Sequence, residues 1–226
     1  MILDTADWQA ISLSARVAGI ATVLGLPPAF ALAYLLSLTR LPCKPLWDGL
    51  IKLPLVLPPV VVGYLLLVLL GSNGPLGPVL ERLNIQIVFT SKAAVLASVV
   101  VGLPLLVQAL RQGMDALDLR LFDVARTLGA SWWDCQVTIL LPLIRRPLLA
   151  GMVMMFARSL GEFGATVILA GNIPGRTQTI PLAIYDYSNT PGQEMAALSL
   201  CLVAVFFAYA VLLGNEFLFR ARRRQQ

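Results

Sequence analysis

The sequence predicts an all-α polytopic membrane protein with five transmembrane helices, six if 172–194 contributes a re-entrant element. Three observations carry this. Hydrophobic residues make up 58% and charged residues 13% of the 226, and the mean hydropathy is +0.81. Five apolar stretches each approach the ~20 residues that cross a hydrocarbon core of about 30 Å. One long polar interruption, 111–146, separates the third stretch from the fourth. No composition shift marks a second domain, so residues 1–226 read as a single transmembrane domain.

The first stretch, 11–38, holds Pro27 and Pro28, which should bend it. Arg16 lies near its start and can snorkel to the interface. Thr39 to Asp48 connects to a second span, 50–70, which opens LPLVLPPVVVGYLLL. Pro54, Pro58 and Pro59 remove backbone donors there, so this end must be irregular helix packed on protein. Residues 71–78, GSNGPLGP, form a turn cluster, and 79–91 a short surface segment. A third span follows over 92–110, with Gly102 and Pro104 as a kink. The fourth covers 147–170, and the fifth 195–219, ahead of a basic tail, RARRRQQ.

Charge gives the orientation. Arg40, Lys44, Lys52, Arg111, Arg120, Arg126, Arg145, Arg146, Arg220, Arg222, Arg223 and Arg224 fall on one side of five spans; Arg82, Lys92 and Arg176 fall on the other. The cation-rich side is cytoplasmic by the positive-inside rule, with the N-terminus outside and the C-terminus inside. The net charge of +5 therefore marks topology and does not call for a nucleic-acid partner.

Several chemistries are excluded or disfavoured. There is no His, and Cys43, Cys135 and Cys201 have no metal-ligand spacing. No GxxxxGK[ST] occurs, so the chain carries no Walker-type ATP site. Asp4 and Asp7 precede the first basic residue, Arg16, which argues against a cleaved leader.

The polar interruption has its own organisation. Leu121, Val124, Ala125 and Leu128 make one apolar helix face. Gly129 supplies a left-handed helix end. Ser131 and Asp134 have capping-box spacing for a second helix, which Pro142 should end or kink. The bland alternative is a long loop with two surface helices. The run Asp123-Val-Ala-x3-Gly129-x9-Ile139-x-Leu141-Pro142 resembles the EAA loop of permease subunits of ABC importers, which runs acidic-Ala-Ala-x3-Gly-x9-Ile-x-Leu-Pro. Asp123 replaces the usual Glu and Val124 the first Ala; Ala125, Gly129, Ile139, Leu141 and Pro142 match. The resemblance implies that these residues couple the chain to an ATPase subunit.

The fourth stretch contains ARSLGEFGAT. Ala157, Gly161 and Ala165 form a small-residue stripe beside a polar stripe of Arg158, Glu162 and Thr166. Arg158 and Glu162 can pair at i, i+4, and neither should face lipid. The pair can lock helix packing, gate a path, or do both. Charge repulsion argues against Glu162 holding an anion. Ser159, Thr166 and Thr190 could contact a substrate, although hydroxyls in spans more often bond their own backbone.

Residues 53–67 and 157–185 resemble the molybdate branch of these permeases, with sulfate and thiosulfate permeases less close. The resemblance covers nearly the whole chain. It implies a homodimer in a bacterial inner membrane, with two cytoplasmic ATPase subunits and an external oxyanion-binding protein. ATP and Mg would sit on the ATPase subunits, and no cofactor on this chain. Pro54, Pro58, Pro59, Arg158, Ser159, Glu162, Phe163 and Thr166 would line or gate the path. Molybdate is the expected cargo, with tungstate, sulfate or thiosulfate as alternatives. An intramembrane enzyme is disfavoured, because Glu162 has no His and no second intramembrane acid beside it. The alternatives of another class are a structural membrane protein and a passive channel, and these spans are too apolar for an always-open pore.

Overall fold

The computed structural model describes residues 3–39 and 41–223. Arg40 and Arg224, both used in the charge balance, lie outside the described residues. Those described are mostly helical, with no strand among them. Four unbroken helices are long and apolar enough to cross a membrane, and a bent pair makes a fifth.

Helix α1 spans Thr5–Leu38. It starts before 11 because Asp4 caps it: Thr5 N donates to Asp4 Oδ1 at 2.7 Å and Asp4 N to Asp7 Oδ2 at 2.8 Å. It continues through Pro27 and Pro28 without interruption. The second stretch is not one rod. Helices α2 (Lys44–Val56) and α3 (Pro59–Leu70) are bent by 108°. Leu57 precedes a proline and is held extended at φ −67°, ψ 145°. Pro59 then sits in the first turn of α3, where its missing N–H costs nothing. After turns at 71–76 comes α4 (Gly77–Arg82).

Helix α5 (Ser91–Asp115) is the centre and packs against α1, α2, α3 and two later helices, Leu141–Leu160 and Gly164–Leu169. It runs unbroken through Gly102 and Pro104. Gly102 serves packing: a Cβ there would lie 3.0 Å from Met155 Cγ. Small residues face each other along α1 and α5, with Ala18, Ala21, Ala93, Ala94 and Ala97 all fully buried. Lipid offers no hydrophobic drive between helices, so close backbone approach of this kind carries the packing.

Short helices α6 (Arg120–Thr127) and α7 (Trp132–Cys135) lead through a π-helical turn, Gln136–Leu140, into α8 (Leu141–Leu160). The expected fourth span, 147–170, is divided: α8 ends at Leu160, and α9 (Gly164–Leu169) follows a break. The polar loop holds α10 (Ile180–Ser188), about 14 Å long and too short to cross alone. Tyr187 of α10 donates to Asp7 of α1 at 2.9 Å, and Ile180 N to Ser14 Oγ at 2.8 Å. Helix α11 (Glu194–Arg223) packs on α10 and α8 but leaves Leu198, Leu202, Val205, Phe206 and Tyr209 exposed.

Candidate functional site

Two sites emerge, at opposite ends of one helix. The first is the corner after α6. No residue of α6 is buried, and its apolar face, Leu121 and Val124 with Leu128 beyond, is turned outward. Leu128 is 83% exposed. The helix ends in a Schellman motif: Ala130 N donates to Ala125 O at 3.0 Å and Gly129 N to Arg126 O at 3.1 Å. Gly129 has φ +90°, which only glycine adopts freely, and the space where its Cβ would sit is open. Ser131 and Asp134 then cap each other, Ser131 N to Asp134 Oδ2 at 2.9 Å and Asp134 N to Ser131 Oγ at 3.2 Å. Asp123 and Leu141 are exposed, and Ala125 and Ile139 half-buried.

Pro142 does not end this segment. It lies in the first turn of α8, with the π-turn directly before it. Leu141 N bonds Gln136 O, five residues back. The wider turn makes room for a proline that has no N–H to give. Helix therefore runs continuously from Trp132 to Leu160, 29 residues, or about 43 Å.

Tyr34 of α1 anchors the corner. Its hydroxyl accepts from Trp132 Nε1 at 3.4 Å and Gln136 Nε2 at 3.5 Å, and its ring stands 6.4 Å from that of Trp132. A cavity of about 260 Å³ lies among Tyr34, Phe122, Asp123, Arg126, Trp132 and Gln136. On the same side Asp48 of α2 pairs with Arg111 of α5 and, at 2.8 Å, with Lys52. Neither Tyr34 nor Asp48 was singled out from the sequence. Tyr34's partners and Arg111 are distant in the chain, and no local spacing marks those contacts; only Asp48–Lys52 has the i, i+4 spacing of a helix pair.

The second site is where two broken helices cross. Helix α8 stops at Leu160, so the stripes Ala157–Gly161–Ala165 and Arg158–Glu162–Thr166 are not continued on one helix. This corrects the sequence expectation. Gly161, Glu162 and Phe163 form the break. Arg158 and Glu162 still meet, with Nη1 2.7 Å from Oε2. That contact is close enough for charge pairing but lacks hydrogen-bond angles. Glu162 is 2% exposed, and its other oxygen accepts Ala165 N at 2.9 Å, tying down the first turn of α9.

Helix α9 lies against α3 with almost no side chain between. A Cβ on Gly63 would stand 2.7 Å from Ala165 Cα, and one on Gly164 would stand 2.9 Å from Pro59 Cβ. The break at Leu57–Pro58 and the break at 161–163 thus flank one backbone-to-backbone crossing. Pro58 is exposed, and Pro54 and Pro59 are half-buried. Phe163 packs on Tyr185 of α10 with ring centroids 5.3 Å apart. Both line a mostly apolar cavity of about 610 Å³ with Gly161 and Phe207. Thr166 is buried, and the buried Ser159 hydroxyl has no partner. Thr190 bonds its own backbone at Asp186 O, 2.9 Å away, and stands apart from the crossing.

A multi-pass helical bundle with a broken-helix crossing and a protruding helical corner is the architecture of a transporter's membrane component. Residues 25–223 match the model of the binding-protein-dependent transport system inner membrane component, and the chain belongs to that family. Within it, the chain is 45% identical over 229 residues to the molybdenum transport system permease protein ModB of Escherichia coli K12, covering all of this chain and 99% of that one. It is 46% identical over 218 residues to ModB of Haemophilus influenzae, covering 96% and 95%. Among solved structures, a bacterial ABC transporter that imports the polysaccharide alginate superposes with TM-score 0.74 at 16% identity, over 97% of this chain and 81% of that chain. The MetNI methionine ABC transporter, in inward-facing form, gives 0.69 at 14% identity, over 97% and 95%. At such identities these two structures establish the fold alone.

Proposed function

We propose that this chain is the membrane-spanning permease subunit of an ATP-driven importer for molybdate. It works as a homodimer with two cytoplasmic ATPase subunits and an external binding protein, its N-terminus outside and its C-terminus in the cytoplasm. ATP hydrolysis belongs to the ATPase chains. One observation carries the mechanism. The exposed apolar face of α6 and the Gly129 corner open directly into a helix that continues to Leu160, beside the Arg158–Glu162 break. A partner that seats the corner and moves it displaces the far end of the same helix. The crossing of α3 and α9 then opens or closes by alternating access.

Molybdate as cargo is supported by the full-length relatives, which are described as molybdenum transport permeases. Tungstate, sulfate and thiosulfate are the rival cargoes. The test is ATPase activity in proteoliposomes of this chain co-expressed with an ATPase partner, to which oxyanion-binding proteins are added in turn. Molybdate-loaded binding protein should stimulate hydrolysis well above the sulfate-loaded one. Stimulation by the sulfate-loaded protein alone would keep the importer and change its cargo. Failure to associate with any ATPase would overturn the reading.

A further inference from the structure

A groove of about 630 Å³ runs along the outside of the α1–α5 contact. Its walls are chiefly apolar, and Ile20 and Leu24 in it are exposed. Two cations line it, Arg16 and Lys92, both exposed. Among the described residues neither forms an ion pair. They lie on the side that is otherwise poor in cations, where positive charge has no topological explanation.

The two cations sit at one level. Arg16 precedes Ile20 and Leu24 by one and two turns of α1, and Lys92 precedes Val95 and Val99 on α5 in the same sense. From Arg16 to Leu38 is about 33 Å, and from Lys92 to Asp115 about 35 Å, close to the thickness of a hydrocarbon core. The level of Arg16 and Lys92 is therefore the headgroup plane, and the apolar groove descends from it into the bilayer. The start of α5 adds to the positive field. Thr90 does not cap that helix; its hydroxyl donates to Ile87 O.

We propose that this groove binds an anionic phospholipid, its phosphate held by Arg16 and Lys92 and one acyl chain lying along Ile20, Leu24, Val95 and Val99. Charge complementarity selects the occupant: a free oxyanion would leave the apolar wall bare, and a zwitterionic lipid would bring its own cation to the pair. Arg16 supplies a planar fork for phosphate and Lys92 a point charge.

The test is native mass spectrometry of the full chain in detergent, titrated with phosphatidylglycerol and with phosphatidylcholine of matched chains. Phosphatidylglycerol should be retained more tightly, on the order of tenfold or more for two interfacial cations. The Arg16→Gln/Lys92→Gln pair should lose that preference while thermal unfolding stays unchanged. A second variant, Ile20→Trp, fills the groove without touching charge and should weaken retention of both lipids. Equal retention of the two lipids by the parent chain would overturn the proposal. So would an undiminished preference in the double variant, or displacement of the lipid by millimolar inorganic phosphate. Cross-linking of two copies through Leu24→Cys in membranes would also overturn it, by showing that a second copy covers the groove.

Discussion

Glu162 faces Arg158 through one carboxylate oxygen, 2.7 Å from Nη1, and holds the amide of Ala165 with the other. One side chain thus closes the end of α8 and begins α9. Glu162→Gln keeps an acceptor for Ala165 but removes the charge facing Arg158. Glu162→Ala removes both. Thermal unfolding in detergent should rank parent above Gln above Ala. The step from Gln to Ala should be about 1–3 kcal/mol, the cost of an unsatisfied buried donor. Equal stability of the two variants would contradict the capping role.

The α6 face should be separable from folding. Leu128 is exposed and buries nothing within the chain. Leu128→Asp should therefore change stability by no more than ~0.5 kcal/mol. Co-purification with the ATPase partner should fall at least several-fold. Gly129→Ala meets no steric obstacle but must adopt φ +90°, at a cost of roughly 1–2 kcal/mol. Retention of the ATPase by Leu128→Asp at parent levels would remove this face from the interface.

The crossing of α3 and α9 leaves no room for a methyl group at Gly63. Gly63→Ala should force the two helices apart and destabilise the protein by about 1–3 kcal/mol. Gly19→Ala, with open space at its Cβ, is the matched control and should not. Comparing their unfolding midpoints checks this.

Burial, and then the bond to Asp7, push the Tyr187 hydroxyl from 10.0 up to about 12. A raised pKa means that the folded chain keeps a proton the unfolded chain has already lost. Below pH 10 both forms are protonated, and Tyr187 adds no pH dependence. Between about pH 10 and 12 the stability it contributes should decline. Unfolding midpoints across that window should fall more steeply for the parent than for Tyr187→Phe.

What the sequence revealed divides by range. The corner was legible because its signals are local: the face of Leu121 and Val124, a glycine at a helix end, and Ser131 three residues before Asp134. The start of α1 is equally local, since Asp4 and Asp7 have capping-box spacing as well as marking the absence of a basic leader. The helix break at 161–163 was not legible. Ala157, Gly161 and Ala165 have perfect helical spacing, and the close approach of α3 to Gly164 beyond the break joins residues far apart in sequence. The 108° bend at Leu57–Pro58 was half legible: the prolines announced irregularity but not its angle. The Asp48–Arg111 and Tyr34–Trp132 contacts join residues far apart in sequence, which no periodicity connects.

Motion at the Gly129 corner should reach the break at Gly161 through the helix Trp132–Leu160. Gly161 is exposed, lines the 610 Å³ cavity, and has room for a side chain. Gly161→Cys, in a chain with Cys43, Cys135 and Cys201 replaced by alanine, gives a single label site. The measurement is its maleimide labelling rate in the assembled complex, with and without ATP trapped on the ATPase subunits. The rate should change several-fold on trapping, and the change should vanish when Leu128→Asp is added. An unchanged rate on trapping, in a complex that still imports its substrate, would contradict the coupling of corner to break.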